Sequence, residues 1–216
     1  MGQLDLIIFD CDGVLVDSEV LTNTVFRDML IELGATVSLE DMFERFVGHS
    51  MDHCLELSRD LLGKDLPDDF AANYRNRSVQ ILKDQLQPVP GIKLALSRIE
   101  LPMCVASSGD HDKMRTTLGL TGLLDHFNDR LFSVTQVARG KPAPDVFLFA
   151  ASCMGVAPDR AAVVEDTPVG VVAGLAAGMK VFGYAGRTPR QRLLSAGASV
   201  VFDDMTMLPT LLADCS

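Results

Sequence analysis

No run of about eighteen or more apolar residues occurs in the sequence, so nothing in it reads as a membrane-spanning helix. No basic stretch leading into an apolar one opens the chain, so no targeting segment is expected. Paired cysteines are missing as well. The five cysteines stand singly at 11, 54, 104, 153 and 215, the pattern of small core hydrophobes and free thiols in a reducing compartment. Positive charge is in short supply: 19 Lys and Arg against 29 Asp and Glu leave a formal net charge of -10. A nonspecific nucleic-acid binder needs a basic face. No repeat and no low-complexity segment stands out. These absences give the expectation of a soluble cytoplasmic protein with no nucleic-acid and no membrane partner. An anionic substrate stays open, because a pocket and a metal ion can dominate the local field.

Apolar residues, by contrast, are plentiful. At 216 residues and 48% hydrophobic, the chain can form one large domain or one domain carrying a smaller insert. Residues 4–9 (LDLIIF) are a near-continuous apolar run, the mark of a parallel strand covered on both faces. Similar short runs fall at 103–106, 131–134, 161–164, 180–184 and 200–202, with helical patterns at 92–99, 111–118, 145–154 and 167–177 between them. This alternation predicts an α/β, Rossmann-like parallel sheet. Between Ser18 and Leu86 the regime differs. Apolar residues there recur at helical spacing, giving patterns at 18–33, 51–62 and 67–86, with a further helix that starts at Ser38 and ends at Gly48. Residues 17–87 are therefore expected to be an inserted helical cap domain, and 1–16 with 88–216 the core domain.

Four polar groups fall at strand ends or helix starts of that core: Asp10 and Asp12, Ser107-Ser108-Gly109, Lys141, and Glu165 with Asp166. The carboxyl ends of parallel strands lie along one edge, so these groups can converge. Each has an ordinary reading alone, as turn chemistry, helix cap, surface lysine or first-turn helix charge. Together they suit phosphoryl transfer. Asp10 can attack phosphorus to form an acyl phosphate. Asp12 can protonate the leaving oxygen and later deprotonate water. Crowded carboxylates call for a cation, and oxygen ligands with a phosphate substrate favour Mg²⁺. Ser107, with the N–H groups of Ser108 and Gly109, can hold phosphate oxygens, and Lys141 supplies positive charge.

The strings FDCDGVLVDSE (9–19), VASSG (105–109), GKPAPD (140–145) and VVEDTPVG (163–170) resemble, in order, the four motifs of the haloacid dehalogenase (HAD) superfamily of Mg²⁺-dependent phosphohydrolases. The resemblance implies a Rossmann-like core with a helical cap, Asp10 as nucleophile and Asp12 as acid/base. It implies that Ser107 and Lys141 bind the phosphoryl group. Mg²⁺ would be held by Asp10, the Asp12 backbone carbonyl and Asp166, with Glu165 a further or water-mediated ligand. FERFVG (43–48) and PMCVASSGDHDKM (102–114) carry the look of the beta-phosphoglucomutase-like subgroup, and of 6-phosphogluconate phosphatases within it.

Three other readings fit the residues less well. Dehalogenases lack the second Asp of the first motif, whereas Asp12 is present. Mutases of the subgroup carry a cap histidine ten residues after the acid/base Asp, where this chain has Thr22, and a cap arginine where it has Met51. A catalytically silent HAD-fold binding protein is disfavoured by intact motifs. Hydrolysis of a small phosphorylated metabolite, a sugar phosphate or sugar acid such as 6-phosphogluconate, is therefore expected. The cap should read the leaving group. His49, in a loop with Gly48 and Ser50, can bond a hydroxyl or carboxylate, and Arg75 or Arg77 can pair with a substrate carboxylate.

Overall fold

The structure, a computed structural model, describes residues 3–47, 49 and 51–214. The chain divides into two compact units, Met1–Asp17 with Pro88–Ser216, and Ser18–Gln87. Among the described residues no helix is long and apolar enough to cross a membrane.

Among the described residues the first unit is built on six parallel strands: β1 (Leu6–Phe9), β2 (Met103–Ser107), β3 (Leu131–Ser133), β4 (Ala161–Glu165), β5 (Lys180–Tyr184) and β6 (Val200–Phe202). Their order across the sheet is β3-β2-β1-β4-β5-β6. The strand opening the chain is thus central, with Ile8 opposite Cys104 on one side and Val163 on the other. Every residue of β1, β2 and β4 is buried. That explains why these strands read as apolar runs with no alternation.

Alternate side chains still sort to opposite faces. Leu6 and Ile8 pack with Ala106, Val163, Val171 and Phe147, against α7 (Asp145–Cys153) and α8 (Pro168–Ala176). Phe9 points the other way and meets Phe127 edge-on at 6.0 Å. Among the described residues the remaining α-helices of this unit are α5 (Ile92–Arg98), α6 (His111–Thr121), α9 (Arg190–Ser195) and α10 (Leu208–Ala213). The last two are short pieces that the sequence pattern does not announce. At six residues each, they span under two turns, too little for a 3.6-residue period to register.

Among the described residues the second unit holds four helices, α1 (Glu19–Glu32), α2 (Leu39–Arg45), α3 (Met51–Leu62) and α4 (Phe70–Gln85). A capping box starts α2: the Asp41 N–H donates to Ser38 Oγ at 3.1 Å, and the Ser38 N–H donates to the Asp41 carboxylate at 2.8 Å. Gly48 and Ser50, expected to end that helix and flank a loop, lie outside the described residues. Phe26 of α1 is the hub, with ring centroids of Phe46, Phe70 and Tyr74 at 5.6, 5.4 and 4.9 Å.

Truncating a buried aromatic leaves a cavity that neighbours fill only in part. Phe26→Ala should therefore lower the stability of the helical unit by about 3–5 kcal/mol, read as a lower urea midpoint. A midpoint equal to wild type would show that Phe26 is not the hub.

Candidate active site

The site is assembled at the carboxyl edge of the sheet, all of it within the first unit. At the end of β1, the Asp10 N–H donates to the Val164 carbonyl at 2.9 Å, extending the ladder by one residue. The chain then closes on itself. Leu15 and Val16 N–H groups donate to the Cys11 carbonyl at 3.0 and 3.1 Å, and the Gly13 N–H donates to Val16 at 2.8 Å. Gly13 has φ +81°, and a Cβ there would strike the Asp166 carboxylate. The tight loop and the absence of a side chain let the fourth motif press against the first.

Lys141 joins the strands. Its side chain is 3% exposed, and Nζ donates to Asp10 Oδ1 at 2.5 Å and Glu165 Oε1 at 2.8 Å. It also donates to the Ala106 carbonyl of β2 at 3.2 Å, and it sits 4.7 Å from the Phe147 ring centroid. Burial alone would lower its pKa, but Asp10 and Glu165 reverse that and hold it above the usual lysine value. Burial pushes the Asp10 carboxyl up to about 7, with Glu165 and Asp12 adding to the rise and Lys141 opposing it.

Glu165 is fully engaged at both oxygens. While Oε1 takes Lys141, Oε2 accepts the Asp166 N–H, the Thr167 N–H and the Thr167 hydroxyl, each at 2.9 Å. The Thr167 Oγ in turn accepts the Gly170 N–H at 3.0 Å and caps α8. This geometry suits a group that orients Lys141 and the start of α8 more than one that binds a cation itself.

The second motif lies at the end of β2. Ser107 is buried and its Oγ accepts the Gly109 N–H at 3.0 Å. Ser108 is half-buried beside it. The Ser133 hydroxyl fixes the turn by donating to the Gly109 carbonyl at 2.8 Å. A Cβ at Gly109 would lie 3.4 Å from Ser107 Oγ and 3.9 Å from the Asp12 carboxylate, so Asp12 and Ser107 share one small space.

Asp10, Asp12, Ser107, Ser108, Gly109, Lys141, Glu165 and Asp166 therefore come to one sheet edge. His49 and Arg75 belong to the second unit. There the exposed His49 lies against His53, with centroids 4.6 Å apart and the rings tilted by 55°. Burial, with His53 adding to it, lowers the His49 pKa. Arg75 is exposed on α4, while Arg77 is held by Glu32 at 2.7 Å.

The arrangement is that of a known family. The profile of haloacid dehalogenase-like hydrolases matches residues 4–178. This chain is a haloacid dehalogenase-like hydrolase. The hydrolase is 32% identical to 6-phosphogluconate phosphatase of Escherichia coli K12 over 98% of its own length and 96% of that protein's. Its fold superposes on a conserved haloacid dehalogenase-like protein from Agrobacterium tumefaciens with TM-score 0.86, at 36% identity and coverage of 98% and 99%. A HAD family hydrolase from Deinococcus radiodurans, crystallised with bound phosphate and sodium, gives TM-score 0.81 at 27% identity, with coverage of 99% and 97%. The chain is an enzyme of this family, and its curated relatives include named phosphatases.

The sequence reading passed over Lys113. Its Nζ donates to Asp12 Oδ2 at 2.7 Å. The one available signal was its place as the third residue of a helix that begins directly after the VASSG turn.

Gly170 supplies a test of the Glu165 arrangement. An exposed helix glycine gains about 1 kcal/mol on replacement by alanine. At Gly170 a Cβ would collide with the Glu165 carboxylate, so Gly170→Ala should instead cost about 1–3 kcal/mol in thermal or urea unfolding. A stabilised Gly170→Ala variant would contradict the described packing.

Proposed function

We propose that the hydrolase is a Mg²⁺-dependent phosphatase of small phosphorylated sugars or sugar acids, with 6-phosphogluconate the substrate class to test first. The observation that carries this reading is the buried Asp10–Lys141–Glu165 contact beside Ser107. In this reading Asp10 attacks the phosphorus of the bound monoester. The alkoxide leaves with a proton from Asp12, and an aspartyl phosphate forms on Asp10. Asp12 then takes a proton from water as the water attacks phosphorus, releasing phosphate and restoring Asp10. Lys141, the Ser107 hydroxyl and the Ser108 N–H hold the phosphoryl oxygens, while the Gly109 N–H orients Ser107 by donating to its Oγ.

The donor chemistry fits Mg²⁺. Among the described residues no three acidic, histidine or cysteine side chains already form a metal cage. A Mg²⁺ site, however, needs only one or two carboxylates and keeps several waters. Asp10 and Asp166, both buried, with the Asp12 backbone carbonyl, would hold it, and Asp166 lies directly against Gly13 of the first-motif loop. When bound, the ion offsets the charge of the carboxylates and of the phosphoryl group.

Water is preferred over a sugar hydroxyl as acceptor. Thr22, where subgroup mutases carry histidine, turns its hydroxyl onto its own helix, donating to the Ser18 carbonyl at 3.1 Å. His49 and Arg75 are proposed readers of the leaving group. The His49 imidazole is suited to a hydroxyl, and the guanidinium of Arg75 to a carboxylate. A cytoplasmic location accords with free thiols and a soluble metabolite as substrate.

Turnover of p-nitrophenyl phosphate and of a panel of sugar phosphates should require Mg²⁺, stop with EDTA and return on adding Mg²⁺. Asp10→Asn should abolish it, and Asp12→Asn should lower sugar-phosphate turnover by about 10²–10⁴-fold. An inert wild type with Mg²⁺, or an Asp10→Asn variant as active as wild type, would overturn the phosphatase reading.

A further inference from the structure

Asp12 must do its work with a side chain that is 21% exposed. A partly solvated carboxylate can rotate about two bonds, yet proton transfer needs it within hydrogen-bond reach of one oxygen. A displacement of about 1 Å costs on the order of 10²-fold in rate. Something has to hold it. The closed turn of 11–16 fixes the backbone of Asp12, which leaves the rotamer to be set from outside.

Helix α6 supplies the hold. It starts at His111, with Asp110 as its cap, and the Lys113 N–H donates to the Asp110 carboxylate at 2.8 Å. That anchors the Lys113 backbone in the first turn. The Lys113 side chain then runs back over Gly109, where a Cβ would lie 3.1 Å from its Cδ. The glycine thus opens the path that the lysine stem uses. Its ammonium ends on Asp12 Oδ2 at 2.7 Å, a charge-assisted hydrogen bond with a defined direction. One turn on, the Thr117 hydroxyl lies 3.9 Å from the Cys11 sulfur and 3.0 Å from the Lys113 carbonyl. Residues 113 and 117 share a helix face. That face is therefore joined to the first-motif loop at two successive residues, Cys11 and Asp12.

We propose that Lys113 is a positioning residue, setting the rotamer from which Asp12 exchanges its proton with the leaving oxygen. The proposal rests on the reading of Asp12 as acid/base. It adds a residue outside the four motifs and gives Gly109 a second role, as clearance for the lysine stem. A positioning role predicts a dependence on leaving group that a merely structural role does not. An alkoxide needs the proton, whereas p-nitrophenolate departs without one. The constant kcat/KM covers the steps up to phosphoryl transfer to Asp10, so it isolates that difference.

The test compares wild type, Lys113→Met, Lys113→Arg and Asp12→Asn. The substrates are p-nitrophenyl phosphate and three alkyl phosphates: 6-phosphogluconate, glucose 6-phosphate and fructose 1-phosphate. Lys113→Met keeps the stem and removes the charge. It should lower kcat/KM for the alkyl phosphates that wild type hydrolyses by about 10²-fold, carried by kcat more than KM. It should lower p-nitrophenyl phosphate far less than the alkyl phosphates, Asp12→Asn should show the same skew toward alkyl substrates, and Lys113→Arg should recover most of the loss. Equal losses on aryl and alkyl phosphates, or none on either, would overturn the role of Lys113 while Asp12→Asn still shows the leaving-group signature. Wild type inert on all three alkyl phosphates would overturn the sugar-phosphatase reading itself.

Discussion

A single ammonium group, Lys141 Nζ, is withdrawn almost wholly from water and shared between carboxylates at the ends of two adjacent strands. A buried charge without partners is strongly destabilising, and removing one partner of a buried pair typically costs about 3–5 kcal/mol. Lys141, Asp10 and Glu165 therefore depend on one another for burial. Bonding to the Ala106 carbonyl extends the dependence to a third strand. Any arrangement of β1, β2 and β4 that separated these ends would strand at least one charge. The contact that equips the site is also one that fixes the relative placement of its strands.

Small features of the surrounding chain follow from that constraint. Glu165 can present one oxygen to Lys141 because its other oxygen is secured by two backbone N–H groups and the Thr167 hydroxyl. Gly170 keeps the first turn of α8 clear of that carboxylate, and Gly13 keeps the first-motif loop clear of Asp166. Glycine and a capping threonine, residues with no reactive role, thus make room for the carboxylates crowded at this edge. In the proposed mechanism this crowding is what a hard cation would relieve, and Asp10, Asp166 and a backbone carbonyl are a sufficient donor set for one.

The sheet was legible because its central strands are buried on both faces. LIIF, MCVAS and AAVVE are apolar runs with polar residues at or just beyond their ends, and the carboxyl-edge rule then groups those residues without coordinates. Helices α1 and α3 were legible from their period, and α2 from the Ser38 cap with Glu40 and Asp41 in its first turn. Other features left no such trace. Helices α9 and α10 are too short to show a period. The saturation of Glu165 depends on hydrogen bonds, which spelling does not encode. Lys113 reads as a solvated helix lysine. It acquires a partner 101 residues away because β2 ends in a three-residue turn that aims the start of α6 at the first-motif loop. His49 and Arg75 were marked by residue type and by their place in the helical insert, with no second constraint in the spelling.

The central claim is a division of labour: Asp10 carries the phosphoryl group and Asp12, two residues on, moves the proton. Trapping tests this most directly. The wild-type enzyme with Mg²⁺ and p-nitrophenyl phosphate is quenched in acid during turnover and reduced with borohydride, which converts an acyl phosphate to an alcohol. The peptide carrying the first motif is then sequenced by mass spectrometry. The account predicts homoserine at position 10, aspartate retained at position 12, and no reduction when substrate is omitted. Reduction at Asp12, or steady release of phosphate with neither residue trapped, would contradict it.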